Sequence, residues 1–186
     1  MKQTLTKALI FAFALLLSQS SLASSLRSLK YEIQFKTAFS RYMPGHDYRL
    51  LKAQCFQESR FDPRAVSPVG AKGLCQFMSF TWREAQTSLN FNESAFSSHH
   101  NIIAAAWYDS KMYSFWRSPR PTQDRYNLMF ASYNAGAGNL HKAQKRCDNA
   151  PLFADIMQCL PLVTGHNAKE TSTYVQRINK YYGQLQ

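Results

Sequence analysis

Apolar positions recur close to the helical period along nearly the whole chain, and that spacing predicts helix after helix. The expected helices cover residues 25–42, 47–59, 81–89, 94–116, 122–134, 140–147, 152–160 and 168–182. Leu26, Leu29, Ile33 and Phe39 supply apolar positions to the first, which Pro44-Gly45 ends. Asp47 reads as the N-cap of the second. Pro63, Pro68, Gly70 and Gly73 mark a loop over 60–73. Thr81-Trp82-Arg83-Glu84 has the spacing of a capping box opening the third helix. Ile103, Trp107 and Phe115 give the long helix at 94–116 its apolar surface. Tyr126, Leu128, Met129 and Phe130 do the same for the next, which Gly136 and Gly138 stop. Asn167 is the candidate cap of the last. Period-two alternation is nearly absent, with room only for a short strand pair in a loop. The fold class is therefore mostly α.

One position breaks the pattern. Projected at about 100° per residue, Tyr48, Leu51, Cys55 and Glu58 fall within roughly an 80° arc of the 47–59 helix. Glu58 thus sits at the end of an apolar stripe. An acid there is costly to ionise without a partner. The partial negative charge of the nearby helix C-terminus also favours the neutral form. A carboxyl that keeps its proton near neutral pH is what a general acid requires. The competing reading is a structural glutamate paired with a buried Arg or Lys.

Composition narrows the setting. Lys2 and Lys7, the apolar run 8–17 and Ser21-Leu22-Ala23 have the order of a secretory signal peptide, assigned to residues 1–23. The run is too short for a comfortable membrane span, so no transmembrane anchor is expected after cleavage. Residues 24–186 then suit one domain. The formal charge of +11 falls only by those two lysines, and the remaining basic residues are scattered. Such a surface suits polyanions in general and does not choose among them. In an exported chain the four cysteines, Cys55, Cys75, Cys147 and Cys159, point to two disulfides. Three pairings exist, and proximity in sequence favours Cys55 with Cys75 and Cys147 with Cys159. The five histidines show no metal-ligand spacing with cysteines or acids, so neither metal nor cofactor is expected.

The run from Glu58 to Met78 resembles the catalytic-domain signature of the soluble lytic transglycosylases: Glu58-Ser59, then Ser67-Pro68-Val69-Gly70-Ala71-Lys72-Gly73-Leu74, then Gln76-Phe77-Met78. Ala131-Ser132-Tyr133-Asn134-Ala135-Gly136 is similar to the family's Tyr-Asn-Ala-Gly block, and Glu170-Thr171-Ser172-Thr173-Tyr174-Val175 to its Glu-Thr-x-x-Tyr-Val block. Asn101-Ile102 is a weaker match. The resemblance spans roughly residues 45 to 182. Ser79 departs from the proline usual after Gln-x-Met, and Cys55 and Cys75 are not part of the pattern.

The resemblance implies a lysozyme-like α fold, with helices around a glycan-binding cleft, acting on peptidoglycan outside the inner membrane in the periplasm. It implies Glu58 as the one catalytic residue. Glu58 protonates the glycosidic oxygen while the substrate's N-acetyl group assists departure. The resulting carboxylate then takes a proton from the muramic acid 6-hydroxyl, which closes a 1,6-anhydro ring. Asp62 is the nearest candidate for the second carboxylate of an ordinary glycosidase, although Asp62-Pro63 also reads as a plain turn. Substrate binding falls to Ser67, Gly73, Gln76, Met78, Tyr133, Asn134, Glu170 and Tyr174. Ser67 is expected near Glu58 or the substrate acetamide, or else as a loop cap. Tyr133 is expected to orient the acetamide or Glu58 through its hydroxyl, with Asn134 beside it. Glu170 and Tyr174, one turn apart, border the cleft and hold glycan or peptide stem. In such a fold, a Cys55–Cys75 bridge ties the Glu58 helix to the cleft loop. Three rivals stand beside this reading: a muramidase using the same acid with water, a non-catalytic wall-binding or assembly protein of the same fold, and a nucleic-acid binder resting on charge alone. No specific nucleic acid is expected; an envelope-spanning machinery is the candidate protein partner.

Overall fold

The computed structural model describes residues 28–186, and these order themselves around one buried helix. In chain order the helices are α1 (Glu32–Tyr42), α2 (Arg49–Ser59), α3 (Ser79–Leu89), α4 (Ser98–Phe115), α5 (Thr122–Ala135), α6 (Ala137–Arg146), α7 (Phe153–Cys159), α8 (Pro161–Thr164) and α9 (Asn167–Leu185). The described residues are mostly α, as the period predicts. The signal peptide assigned to residues 1–23, and Leu26, lie outside them.

α2 is the centre. It packs against α9 on one side and against α1 and α4 on the others. Leu50 through Phe56 are consecutively buried, so α2 has no solvent face over that stretch. The expected stripe is therefore only part of its covered surface. Lys52 pays the desolvation of such a position by pairing with Glu32, Nζ to Oε2 at 2.7 Å, and the Tyr48 hydroxyl donates to the same carboxylate. Phe35, Phe39, Phe56, Leu74, Ile102, Leu128, Met129 and Phe130 fill the interior around α2. Each contributes roughly 1.5–3 kcal/mol relative to exposure.

Helix ends differ from the expected ones for local reasons. Residues 28–31 are not helical, and Leu29 and Ile33 face solvent at 78% and 76% exposure, because α1 is held instead through Phe35, Ala38 and Phe39. Asp47 acts two residues ahead of Arg49, accepting its backbone N–H at 2.9 Å, while Tyr48 occupies the cap position. α3 starts at Ser79, before Thr81, with no side-chain cap; Glu84 is turned to Lys111 instead. α4 starts at Ser98 and fully buries Ile102, Ala104, Ala105, Ala106 and Met112; Ile103 and Trp107 pack against this core partly buried, and Phe115 is exposed. Its small alanines let it lie close against α1 and α5. Gly136, at φ +84°, does end α5, but Gly138 belongs to α6, which begins at once. Asn167 opens α9 without a side-chain cap hydrogen bond. The short α8 has too few residues to show a period.

Between α2 and α3 the chain forms the cleft loop. Two isolated antiparallel bridges, Val66 with Lys72 and Lys72 with Phe77, fold it on itself. The Cys55–Cys75 disulfide fixes it to α2, and Cys147–Cys159 joins α6 to α7. Asn101 fixes the loop to α4: its Oδ1 accepts the Cys75 N–H at 2.7 Å and its Nδ2 donates to Ala95 O at 2.8 Å. Gly73 has φ +81°, and a Cβ there would stand 2.1 Å from Ala95 O and 2.5 Å from Asn101 Nδ2. Only glycine fits both the backbone and the space.

Candidate active site

α2 ends at Ser59 because Arg60 and Phe61 take left-handed φ values of 57° and 65°. This turn stops the helix one residue after Glu58 and leaves its side chain at the floor of a cleft of about 720 Å³. Gln57 and Glu58 come from α2. Ser67, Val69, Ala71, Gln76 and Met78 line the cleft from the loop. Tyr133 and Asn134 come from the end of α5, and His166, Lys169, Glu170, Thr173, Tyr174 and Arg177 from the start of α9 and the residue before it.

Glu58 is half-buried and forms no ion pair among the described residues, so the Arg or Lys partner of the structural reading is not what holds it. Its Oε1 accepts the Tyr174 hydroxyl at 2.5 Å. Desolvation pushes the carboxyl up from 4.5 to about 8, the Tyr174 hydrogen bond pulls the other way, and the negative charge of Glu170 adds to the rise. Tyr174 is itself 6% exposed, with its hydroxyl held well above the ordinary phenol range by burial and by Glu58. At neutral pH Glu58 is therefore mainly the protonated acid, with one phenol placed to steady the carboxylate once the proton leaves.

A second acid lies nearby. Asp109 on α4 is fully buried, and burial, with a smaller contribution from Glu58, holds its carboxyl well above the usual range. Gln54, one turn before Glu58 on α2, approaches Asp109, but their side-chain atoms do not close a hydrogen bond of good geometry. Both are buried behind the cleft rather than lining it. Two neighbouring acids disfavour double ionisation, so the charge on Glu58, once its proton leaves, helps keep the proton on Asp109.

The sequence-derived residues divide into groups. Ser67, Gln76, Met78, Tyr133, Asn134, Glu170 and Tyr174 all line the Glu58 cleft. Gly73 is buried against Ala95 and Asn101 and does not line it. Ser67 Oγ accepts the Ala71 N–H at 3.0 Å, the loop-cap role. Gln76 takes φ 54°, and its Nε2 donates to Gly73 O at 2.8 Å. The Tyr133 hydroxyl donates to Cys75 O at 2.8 Å, so Tyr133 holds the loop while Tyr174 attends Glu58. Asn134 Oδ1 accepts from Thr171 Oγ1 at 2.8 Å, joining the end of α5 to α9. Asp62 is exposed, accepts the Arg64 N–H at 2.9 Å and lies outside the cleft, as a turn residue does. Sequence reasoning passed over His166, Lys169, Thr173 and Arg177. The helical register from Glu170 and Tyr174 was the signal that could have found them, since 166, 169, 173 and 177 form the adjacent stripe of the same helix.

The chain matches the Transglycosylase SLT domain family over residues 37–153. Among individual proteins it is similar to the membrane-bound lytic murein transglycosylase F of Alcanivorax borkumensis, 31% identical over 170 residues that cover 83% of this chain and 35% of that protein. The protein of the same description from Salmonella arizonae is 30% identical over 166 residues, covering 80% and 31%. The chain thus spans about a third of the length of the curated relatives it matches. Among solved structures, lytic transglycosylase Slt of Pseudomonas aeruginosa, in an inactive glutamate-to-glutamine form, superposes with a TM-score of 0.67 at 27% identity, covering 84% of this chain and 24% of that one. The 70 kDa soluble lytic transglycosylase Slt70 of Escherichia coli shares the fold, with a TM-score of 0.62 at 23% identity over 80% of this chain and 23% of that one. Together with the cleft, these matches establish that the chain belongs to the Transglycosylase SLT domain family.

Proposed function

We propose that the chain is a peptidoglycan lytic transglycosylase that cleaves the β-1,4 bond between MurNAc and GlcNAc and leaves a 1,6-anhydro-MurNAc end, with Glu58 as sole acid and base. The observation that carries this reading is the Glu58 carboxyl, raised to about 8 and held by Tyr174 in a cleft wide enough for sugar rings. Protonation of the glycosidic oxygen needs an acid that still has its proton, and desolvation supplies one. Once the proton has gone, Tyr174 steadies the carboxylate that must take it back from the 6-hydroxyl. Attack by a hydroxyl of the same sugar is intramolecular and gains from high effective molarity, which lets it outrun water. Among the described residues no second carboxylate lines the cleft except Glu170, which is exposed.

The relatives are described as lytic murein transglycosylases, which supports peptidoglycan as substrate. The two disulfides favour an oxidising compartment. With the signal-like residues 1–23, this supports export across the inner membrane to the periplasm. No helix among the described residues is long and apolar enough to cross a membrane.

Purified sacculi digested with the wild type and with Glu58→Gln, followed by mass analysis of the released fragments, test the reading. The expected products are one water lighter than hydrolytic ones and absent with the variant. Fragments with reducing ends would mean a muramidase, and equal release by the variant would mean that Glu58 is not the acid.

A further inference from the structure

The cleft loop has a second face. Its Lys72–Phe77 bridge is closed by two backbone hydrogen bonds, each N–H donating to the other residue's carbonyl at 2.9 Å. Side chains on extended backbone alternate between opposite sides. Ala71 and Met78 accordingly line the Glu58 cleft, whereas Lys72, Phe77 and Ser79 line a separate groove of about 400 Å³. α3 forms the second wall of this groove, with Trp82, Arg83 and Gln86 following Ser79 at i+3, i+4 and i+7 of one stripe. Asn92, Glu93 and Phe96, from the connection to α4, close it. No residue that lines the Glu58 cleft lines this groove.

The floor of the groove is apolar and fixed. Phe77 and Trp82 are buried, and their rings meet edge to face with centroids 5.4 Å apart. Trp82 Nε1 and Gln86 Nε2 both donate to Glu93 O, at 3.2 and 3.1 Å. The Glu93 carboxylate is engaged as well: its Oε2 accepts the Asn92 N–H at 3.0 Å and stands 3.4 Å from His100 Nε2. The rim is not engaged. Lys72 and Arg83 are exposed, and neither enters an ion pair or a cation–ring contact among the described residues. The Phe96 ring is 39% exposed. Two uncommitted cations and a bare aromatic ring thus surround an apolar floor. A small inorganic anion would leave the ring and the floor unused, and a neutral sugar would leave the cations unused. A sugar unit that carries a carboxylate uses all of them. Its C–H face packs on Phe96, while Arg83 grips the carboxylate in bidentate fashion and Lys72 adds a point charge.

We propose that the groove between the back of the cleft loop and α3 is a second, non-catalytic binding site for acidic glycan, which anchors the enzyme to one stretch of the wall polymer while the Glu58 cleft works on another. The inference rests on the transglycosylase reading above for the identity of the polymer. A polymer presents many copies of the same unit, so a protein held at one place meets the next at high effective concentration. A short soluble fragment reaches only the cleft and gains nothing from the groove. The carboxylate has two sources on this polymer, the stem peptide or the lactyl group bared when the stem is removed.

The test measures co-sedimentation with purified sacculi, before and after amidase treatment, in a Glu58→Gln background that stops turnover. It compares the groove as it stands with Phe96→Ala, Arg83→Glu, both together, and the conservative pair Phe96→Tyr/Arg83→Lys. Exposed contacts are individually weak, so each single change should weaken binding about threefold and the two together about tenfold, with the conservative pair restoring most of it. With Glu58 present, the double variant should raise KM on sacculi by a similar factor and leave kcat/KM on a soluble tetrasaccharide unchanged. A loss on intact sacculi alone supports the groove with the stem as the source of carboxylate, and a loss on treated sacculi supports it with the lactyl group. Unchanged binding in the double variant overturns the proposal. A loss through Arg83→Glu with none through Phe96→Ala overturns it too, because charge alone would then explain the attraction. So does an equal loss on the tetrasaccharide, which would place the effect in the cleft. A wild type that binds sacculi but releases no fragments refutes the transglycosylase reading itself, whereas normal release with groove-independent binding refutes the second site alone.

Discussion

An acid kept protonated by its surroundings costs the fold stability, and that cost is measurable. Glu58 has a folded-state pKa of about 8 against 4.5 in the unfolded chain. Between those values the native state holds a proton that the unfolded chain gives up, so stability falls as pH rises through this window. The penalty is absent below 4.5, grows with pH and levels off above about 8. At about 1.4 kcal/mol per pH unit, the gap from 4.5 to pH 7 is worth about 3 kcal/mol, and the whole gap about 5 kcal/mol. Glu58→Gln removes the ionisation while keeping shape and an oxygen that can still accept the Tyr174 hydroxyl. The variant should therefore be more stable than wild type by up to about 3 kcal/mol at pH 7, and no more stable at pH 4. For a chain of this size that corresponds to a rise in Tm of roughly 6–12 °C at neutral pH. Asp109 is raised in both proteins, so its own contribution largely cancels in the difference. Urea melts of both proteins at pH 4, 5.5, 7 and 8.5 provide the assay. Equal stability at every pH, or a difference that does not shrink towards pH 4, would refute the argument that desolvation holds the proton on Glu58.

Other consequences follow from the same geometry. Tyr174→Phe removes the donor that favours the ionised carboxyl, so the alkaline limb of the kcat/KM profile should move upward while kcat drops by roughly tenfold; an alkaline limb that stays in place would contradict this role. Gly73→Ala forces a Cβ into Ala95 O and Asn101 Nδ2 at φ +81°, and should cost about 3 kcal/mol or more in thermal denaturation; a loss under about 1 kcal/mol would show that the loop can move aside. Replacing Cys55 and Cys75 together by alanine should cost about 3 kcal/mol and speed amide exchange in the cleft loop, and unchanged urea midpoints and exchange would remove the disulfide from the account.

The helical layout was legible because most helices bury one side and expose the other, and the period records it. The ends were less so. Thr81 and Glu84 have the spacing of a capping box, but Glu84 is turned to Lys111 and the helix begins earlier. Phe115 was expected on the apolar surface of the long helix, yet it is exposed and α4 buries its alanines, because close approach to α1 and α5 rewards small side chains. Glu58 stood out as an acid on an apolar stripe, and the ordered motifs brought seven further residues to the same cleft. What one-dimensional reading missed depends on contacts between distant segments. The Tyr174 hydroxyl reaches Glu58 across 116 positions, while the Tyr133 hydroxyl, expected at the acetamide or Glu58, donates to Cys75 O. Asp109 carried no signal at all, since nothing in its neighbours along the chain announces that it is buried behind Glu58.

The central claim is that one carboxyl in the cleft keeps its proton at neutral pH. Its most direct test is a 13C NMR titration of the glutamate side-chain carboxyls, with Glu58 assigned by its absence in Glu58→Gln. The account predicts that the Glu58 signal titrates near pH 8, well above the other glutamates. A midpoint at 4 to 5, together with the rest, would contradict it.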